Sequence, residues 1–346
     1  MKVYKDLLEP IISVENLFLA WDEFRRGKQN KIDVMKFEWR LEENIFDLHR
    51  ELKSDRYKHG AYRAFYIQDP KQRLVHKATV RDRILHHAIS NILNPIFEPT
   101  FIANSFSCRG GKGTHKGVKV LARILRKVSR NHTSPCFALK CDVFKFFASV
   151  DHAVLNRILE KRIGDKAALE LVGKVIGSFN TKGTSGKGLP IGNLTSQLSA
   201  NIYMNELDQF LKHELKVKNY VRYTDDFIIV GNDVQYLKDL LPKIEQFLED
   251  YLALKVHPRK IITRKFTQGV DFLGYIIFPH HILLRTKTRR RLVRKLSERS
   301  DQYAAGKVTA ESFNQTWQSY LGVLSHAHSY KLAEKLKSEI KFETSS

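Results

Sequence analysis

Long apolar runs are what this 346-residue sequence most plainly lacks. No stretch approaches the roughly 20 consecutive apolar residues that a membrane-spanning helix needs, so no membrane partner is expected. The opening segment, MKVYKDLLEPIISVENLFLA, carries Asp6, Glu9 and Glu15 where a signal peptide would have its apolar core. It reads instead as the start of a helix. Cysteine is scarce as well. Cys108, Cys136 and Cys141 form no CxxC pair and cannot all pair with one another. That argues against a disulfide framework and a structural zinc site, and fits buried thiols in a reducing, cytoplasmic setting. Internal repeats and low-complexity tracts are missing too.

Acidic charge is the other shortage. Against 59 lysines and arginines stand only 37 aspartates and glutamates, a net charge of +22. An excess of that size calls for a polyanionic partner, and nucleic acid is the first choice. The hydrophobic share, 42%, is ordinary for a globular protein, and the length allows two or three subdomains.

Residues 1–58 read as helices, with Leu7, Ile11, Leu17, Phe18 and Trp21, then Phe37, Leu41, Ile45 and Leu48, at helical spacing. From Tyr62 the period changes. ARAFYIQ and RLVHKA alternate about a DPKQ turn, predicting a hairpin with a basic tip. A helix through DRILHHAISNIL, the Gly-rich loop CRGGKGTHKG and a helix over 116–130 follow. CFALKCD predicts a buried strand, residues 151–178 read as helical, and LTSQLSANIYMNELDQFL predicts a further helix. YVRYTDDFIIV predicts strand, tight turn, strand. A helix over 236–252 and a strand pair around VDFLGYIIF close this block at 279. The tail, 280–346, reads as helical and basic. The sum is an α+β protein in three regions, 1–58, 59–279 and 280–346.

Asp225 and Asp226 occupy the turn of YVRYTDDFIIV, between strands that want burial. Two carboxylates about 4 Å apart repel by about 4 kcal/mol at an effective dielectric of 20, unless a cation lies between them. Hard oxygen donors with no histidine nearby suit Mg²⁺ better than zinc. A third carboxylate would complete a site for two metals and in-line phosphoryl chemistry. Asp142, ending the CFALKCD strand, is the candidate. A lone DD in a turn is ordinarily just solvated; the hairpin, the second strand-end aspartate and the basic excess together argue for a site.

YTDD resembles the YxDD box of reverse transcriptases. LKCDVFKFFASVDH is similar to that family's first palm motif, GLPIGNLTSQLSANIYMNELD to its template- and nucleotide-binding motif, and DFLGY to its primer-grip turn. DPKQRLVHKATVRDRILHHAI and SFSCRGGKGTHKG resemble the fingers hairpin, its helix and the loop after it. The motifs run in family order across about two-thirds of the chain.

The resemblance implies a right-hand polymerase fold of fingers, palm and thumb, with an antiparallel palm sheet and helical N-terminal and thumb regions. It implies RNA-directed DNA polymerase activity on a template RNA and RNA/DNA primer–template, with deoxynucleoside triphosphates and two Mg²⁺. Asp142, Asp225 and Asp226, with the Val143 carbonyl, would hold the metals. Phe147 would exclude a ribose 2′-OH, its competing reading being a core aromatic beside Phe144 and Phe146. Lys71 and Arg73 would clamp the triphosphate. Ile191, Gly192 and Gln197 would lie against the nascent pair. Lys260 aligns with the lysine thought to protonate departing pyrophosphate, although three basic neighbours compete for that role.

The family usually carries PQG and then SP in the second motif; here the residues are Pro190-Ile191-Gly192 and Ser196-Gln197. The SQ pair resembles reverse transcriptases of diversity-generating retroelements, which copy a template repeat with errors at adenines. That implies a structured RNA and a small, basic, pentameric accessory protein as partners. A retron-type, defence-associated or group II intron-derived polymerase is the alternative, as is a nucleic-acid-binding scaffold whose site has died. Ser149-Asp151-His152 makes no hydrolase triad, since triad members converge in space rather than in sequence.

For nucleic-acid contacts, RTKTRRRLVRKLSER holds eight basic residues and one acidic. As a helix it spreads Arg290, Arg291, Arg294 and Lys295 over a broad face that would track phosphates. Arg109 and Lys112 in CRGGKGTHKG are read as a cradle for the template backbone, because the spacing fails that of a P-loop.

Overall fold

The computed structural model of the protein describes residues 2–68 and 71–339. Four short helices open it: α1 (Leu8–Ile12), α2 (Val14–Arg25), α3 (Ile32–Glu38) and α4 (Leu41–Lys53). The Ser13 hydroxyl accepts the Asn16 N–H to start α2, and Leu17, Trp21 and Phe24 then fall on its buried side. The hairpin β1 (Arg63–Ile67) and β2 (Arg73–Lys77) follows; Asp69 and Pro70 of its DPKQ turn lie outside the described residues. Next come α5 (Val80–Phe97), capped by Thr79, and α6 (Thr114–Val128), which buries Val118, Leu121 and Leu125.

The strand β3 (Phe137–Asp142) leads through the single turn α7 (Phe146–Ser149) to α8 (His152–Glu160) and α9 (Lys166–Gly177). These last two make up the helical stretch 151–178, with a break between them. The break has a local cause: the Asp165 carboxylate caps α9 through the Ala168 N–H while accepting the N–H groups of Leu7 and Leu8, so the chain must turn there. Then come α10 (Leu194–Gln209), β4 (Tyr220–Tyr223), β5 (Asp226–Gly231), α11 (Val234–Leu252), β6 (Ile262–Lys265), β7 (Val270–Phe272), β8 (Tyr275–Ile277) and β9 (Ile282–Leu284). Three helices end the described chain: α12 (Thr286–Ala304), α13 (Ala310–Leu324) and α14 (Tyr330–Glu339). The tail is therefore not helical throughout. Residues 282–284 add a third strand beside β8, because Ile282 and Leu284 alternate onto its apolar side.

Mixed helices and antiparallel sheets give the α+β class. The four-stranded sheet has the order β4-β5-β3-β6, every pair antiparallel. Strand alternation sends its side chains into two separate cores. Leu139, Cys141, Phe227 and Ile229 join α1, α2, α4, α5 and α8 to α11 on one face. Ala138, Val221, Ile228 and Val230 join α6, the three-stranded sheet and α12 to α14 on the other. The first core takes in residues on both sides of position 58, and the second takes in residues on both sides of 279. Among the described residues no helix is long and apolar enough to cross a membrane. Burial pushes the thiols of Cys136 and Cys141 up, to about 11 and about 12, which leaves them protonated packing groups.

Candidate active site

Strand register brings the distant aspartates together. Asp142 ends β3 directly opposite Asp226, the first residue of β5. Asp225 precedes Asp226 in the β4–β5 turn, and its carbonyl accepts the Val143 N–H at 3.2 Å. All three carboxylates thus lie at one end of the sheet, as two strand ends and a tight turn require. Asp142 and Asp226 are only 18% and 22% exposed.

Burial, then the nearby Asp142 carboxylate, pushes Asp225 up to about 6. Burial also pushes Asp226 up to about 6, with Lys140 opposing the rise and Asp142 and Asp271 adding to it. One oxygen of Asp226, Oδ1, is buried with no hydrogen-bond partner among the described residues. Among those residues no group of three or more His, Cys, Asp or Glu side chains is arranged to hold a metal ion. What exists is an all-oxygen cluster with an unsatisfied acceptor and crowded carboxylates, and that is the donor set a hard divalent cation would satisfy. Mg²⁺ fits it.

Two lysines supply the positive charge at this end. Lys260 Nζ donates to Asp142 Oδ1 at 2.8 Å, reaching in from the turn Pro258–Lys260. Of the basic residues in VHPRKIITRK it is the one bonded to an aspartate of the site. Lys140 Nζ lies 3.2 Å from Asp226 Oδ2 and donates to the Asp271 carbonyl at 3.1 Å. Sequence reasoning missed Lys140 and Asp271. Period two would have found the first, since Lys140 shares a strand face with Asp142. Asp271, in β7, is also ion-paired to Arg285, the residue that precedes α12.

Phe146 is the core aromatic of FKFF, packed edge-on against Tyr203, whereas Phe147 is half-buried and keeps an exposed part. The Phe147 carbonyl accepts the Leu189 N–H at 2.6 Å, so the loop before α10 is tied to it. That loop also meets the hairpin. His76 N–H donates to the Ile191 carbonyl at 3.0 Å, and Asn193 Nδ2 donates to the His76 carbonyl at 3.2 Å. Gly192 has φ +111°, and a Cβ there would lie 2.8 Å from Val75 Cγ1, so the contact requires glycine. Ile191 and Gln197 are half-buried, while Lys71 and Arg73 are exposed at the hairpin tip.

The reading of Arg109 needs correction. Its side chain is 5% exposed, forks onto Glu98 at 2.8–3.1 Å and donates to the carbonyls of Ile102 and Ser105. It braces its own loop from within and offers no face to a phosphate, because Glu98 on the neighbouring turn neutralises it. Lys112 donates to the Ala103 carbonyl at 2.7 Å near the surface. On α12, Leu292 and Leu296 are buried, Arg290 and Arg294 are exposed, and Arg291 and Lys295 are half-buried.

Residues 65–277 match the family described as reverse transcriptase (RNA-dependent DNA polymerase), and the chain belongs to it. Its enzymatic class is that of RNA-directed DNA polymerases. It is similar to Protein YkfC of Escherichia coli (strain K12), 25% identical over 317 residues that cover 78% of this chain and 80% of that one. It is similar also to the group II intron-encoded protein LtrA of Lactococcus lactis subsp. cremoris, 26% identical over 308 residues, 68% of this chain and 50% of LtrA. Nuclear intron maturase 2, mitochondrial, of Arabidopsis thaliana is 24% identical over 146 residues, 38% of this chain and 19% of that protein. The chain thus spans half of LtrA and less of the maturase.

Proposed function

We propose that the Asp142–Asp225–Asp226 end of the sheet adds deoxynucleotides to a primer paired with template RNA. The observation that carries this reading is the register pairing of Asp142 with Asp226, which gathers three carboxylates beside two lysines. Asp142, Asp225, Asp226 and the Val143 carbonyl would hold two Mg²⁺ ions. When bound, these supply activation of the primer hydroxyl and charge neutralisation at the triphosphate. Lys260 is placed to deliver a proton near Asp142, and Lys140 holds Asp226. Phe147 lines the sugar side and discriminates against a 2′-OH. Lys71 and Arg73 face the phosphates from the hairpin, and Ile191, Gly192 and Gln197 shape the floor beneath the nascent pair. In this reading residues 59–279 are fingers and palm, 280–346 are thumb, and 1–58 are an N-terminal extension.

The biological setting we favour is a diversity-generating retroelement, supported by Ser196-Gln197 and by Ile191 in place of glutamine. There the partners would be a structured RNA and a basic pentameric accessory protein. The likeness to LtrA and to an intron maturase favours a second setting, a group II intron-derived enzyme. Primer extension on RNA with Mg²⁺ tests both the chemistry and the setting. Asp142→Asn and Asp225→Asn should each abolish extension while primer–template binding stays within about twofold. Errors concentrated opposite template adenines support the first setting, and an even error spectrum supports the second. A wild-type chain that binds primer–template but extends nothing would leave only a binding scaffold.

A further inference from the structure

Asp208 and Arg222 are both wholly excluded from solvent. Asp208 lies in the last turn of α10 and Arg222 in the middle of β4. The pair is forked: Arg222 Nε donates to Asp208 Oδ1 at 2.8 Å and Nη2 to Oδ2 at 2.5 Å. Tyr220, two residues earlier on the same strand face, adds its hydroxyl to Asp208 Oδ1 at 2.9 Å. A buried ion pair is a poor source of stability compared with well-packed apolar side chains. Its use here is better sought in the third arm of the guanidinium.

That arm reaches the turn. Arg222 Nη1 donates to the carbonyl of Thr224 at 3.0 Å. Thr224 has φ +56°, in the left-handed region that a β-branched residue avoids, so something must hold it there. Its hydroxyl donates to Ser107 Oγ at 2.6 Å. The Arg222 backbone is itself braced, donating to the Asn104 carbonyl at 3.0 Å and accepting the Phe106 N–H at 2.9 Å. The next residue is Asp225, whose own carbonyl accepts the Val143 N–H. The peptides on both sides of Asp225 are therefore pinned, one by Arg222 and one by Val143, the residue after β3.

We propose that Asp208 and Arg222 are positioning residues that hold the strained Thr224 turn, and with it the Asp225 carboxylate, in register with Asp142. The inference rests on the polymerase reading for its consequence in catalysis and on the turn geometry alone for its consequence in metal binding. Asp208 fixes the guanidinium, the guanidinium fixes the Thr224 carbonyl, and the carboxylate one residue on is preorganised.

Arg222→Lys keeps the charge but cannot make the fork and the third arm together. In the full-length variant the single-turnover rate of dNTP incorporation should fall about 100-fold, the size of loss a misplaced group of about 1 Å produces. Primer–template Kd and KM for dNTP should stay within about twofold. Mn²⁺ affinity, read by electron paramagnetic resonance without nucleic acid, should fall about tenfold, since one ligand is no longer held. A folded Arg222→Lys protein with wild-type rate and Mn²⁺ affinity overturns the proposal. Parallel loss of melting temperature, primer–template binding and rate, at unchanged Mn²⁺ affinity, also overturns it, because that marks a purely structural pair. If Arg222→Lys does not fold, Asp208→Asn takes its place, since it keeps the side chain's shape and one acceptor but weakens the fork that fixes the guanidinium. It should slow incorporation and weaken Mn²⁺ binding, and a folded variant with wild-type values for both overturns the proposal. A wild-type chain that extends no primer sinks the polymerase reading by itself, and Mn²⁺ affinity still decides this one.

Discussion

Lys260 bonds to Asp142 at 2.8 Å although 118 residues separate them in the chain. The contact puts an ammonium at the edge of the carboxylate cluster, where pyrophosphate would depart. Lys260→Met should lower the single-turnover rate of nucleotide addition about 100-fold, the usual loss when a proton donor is removed. Primer–template binding should stay within about twofold. Rapid-quench kinetics measures the first and a filter-binding titration the second; an unchanged rate would show that Lys260 only neutralises Asp142.

Ile191 offers shape but no side-chain hydrogen bond, and its backbone is held to His76 of the hairpin. Restoring a polar contact at this position with Ile191→Gln should improve discrimination by about 1 kcal/mol, roughly fivefold fewer errors opposite template adenine. Sequencing of the cDNA from both proteins checks it, and identical error spectra would discard the idea.

Arg290 and Arg294 project from α12 into solvent, with Arg294 3.7 Å from Glu298. If they track phosphates, each change to alanine weakens primer–template binding uniformly across sequences. Each should also flatten the plot of log Kd against log salt by about one unit. Titrations between low and moderate salt give the slope. A slope unchanged in the double variant would place the duplex elsewhere.

Asp165 accepts N–H groups from Leu7 and Leu8 while capping α9, and these bonds outweigh its burial to hold its carboxyl below the usual range. A depressed carboxyl contributes stability above its unfolded value, near 3.9, and loses it as pH falls through the folded value. Asp165→Ala should therefore cost about 1–2 kcal/mol at pH 7. The gap from wild type should narrow below about pH 4. Urea melts at the two pH values test the sign.

Much of the site was legible because it sits where strands end. Alternation located β3 and the β4–β5 hairpin, and a charged residue closing a buried strand stood out at once. Helix capping was less visible, so the break at Asp165 inside the helical stretch 151–178 was not located. Strand β9 was missed because three residues carry too little pattern to separate from a helix start. Arg109 was misread because sequence shows a charge but not its partner; Glu98 meets it only after the chain folds back. Asp208 and Arg222 were silent for the same reason. Each looks like surface charge in isolation, and only the α10–β4 packing removes both from water.

The sheet that carries the aspartates separates two unconnected apolar layers, one built with the N-terminal helices and one with α12 to α14. Cutting the chain after β9 would strip the cover from the three-stranded sheet, whose Tyr275 hydroxyl donates to the Val323 carbonyl of α13, and open the apolar layer that it shares with the rear of the aspartate-bearing sheet. A loss of activity in that truncation would therefore not separate a role in nucleic-acid contact from a role in folding.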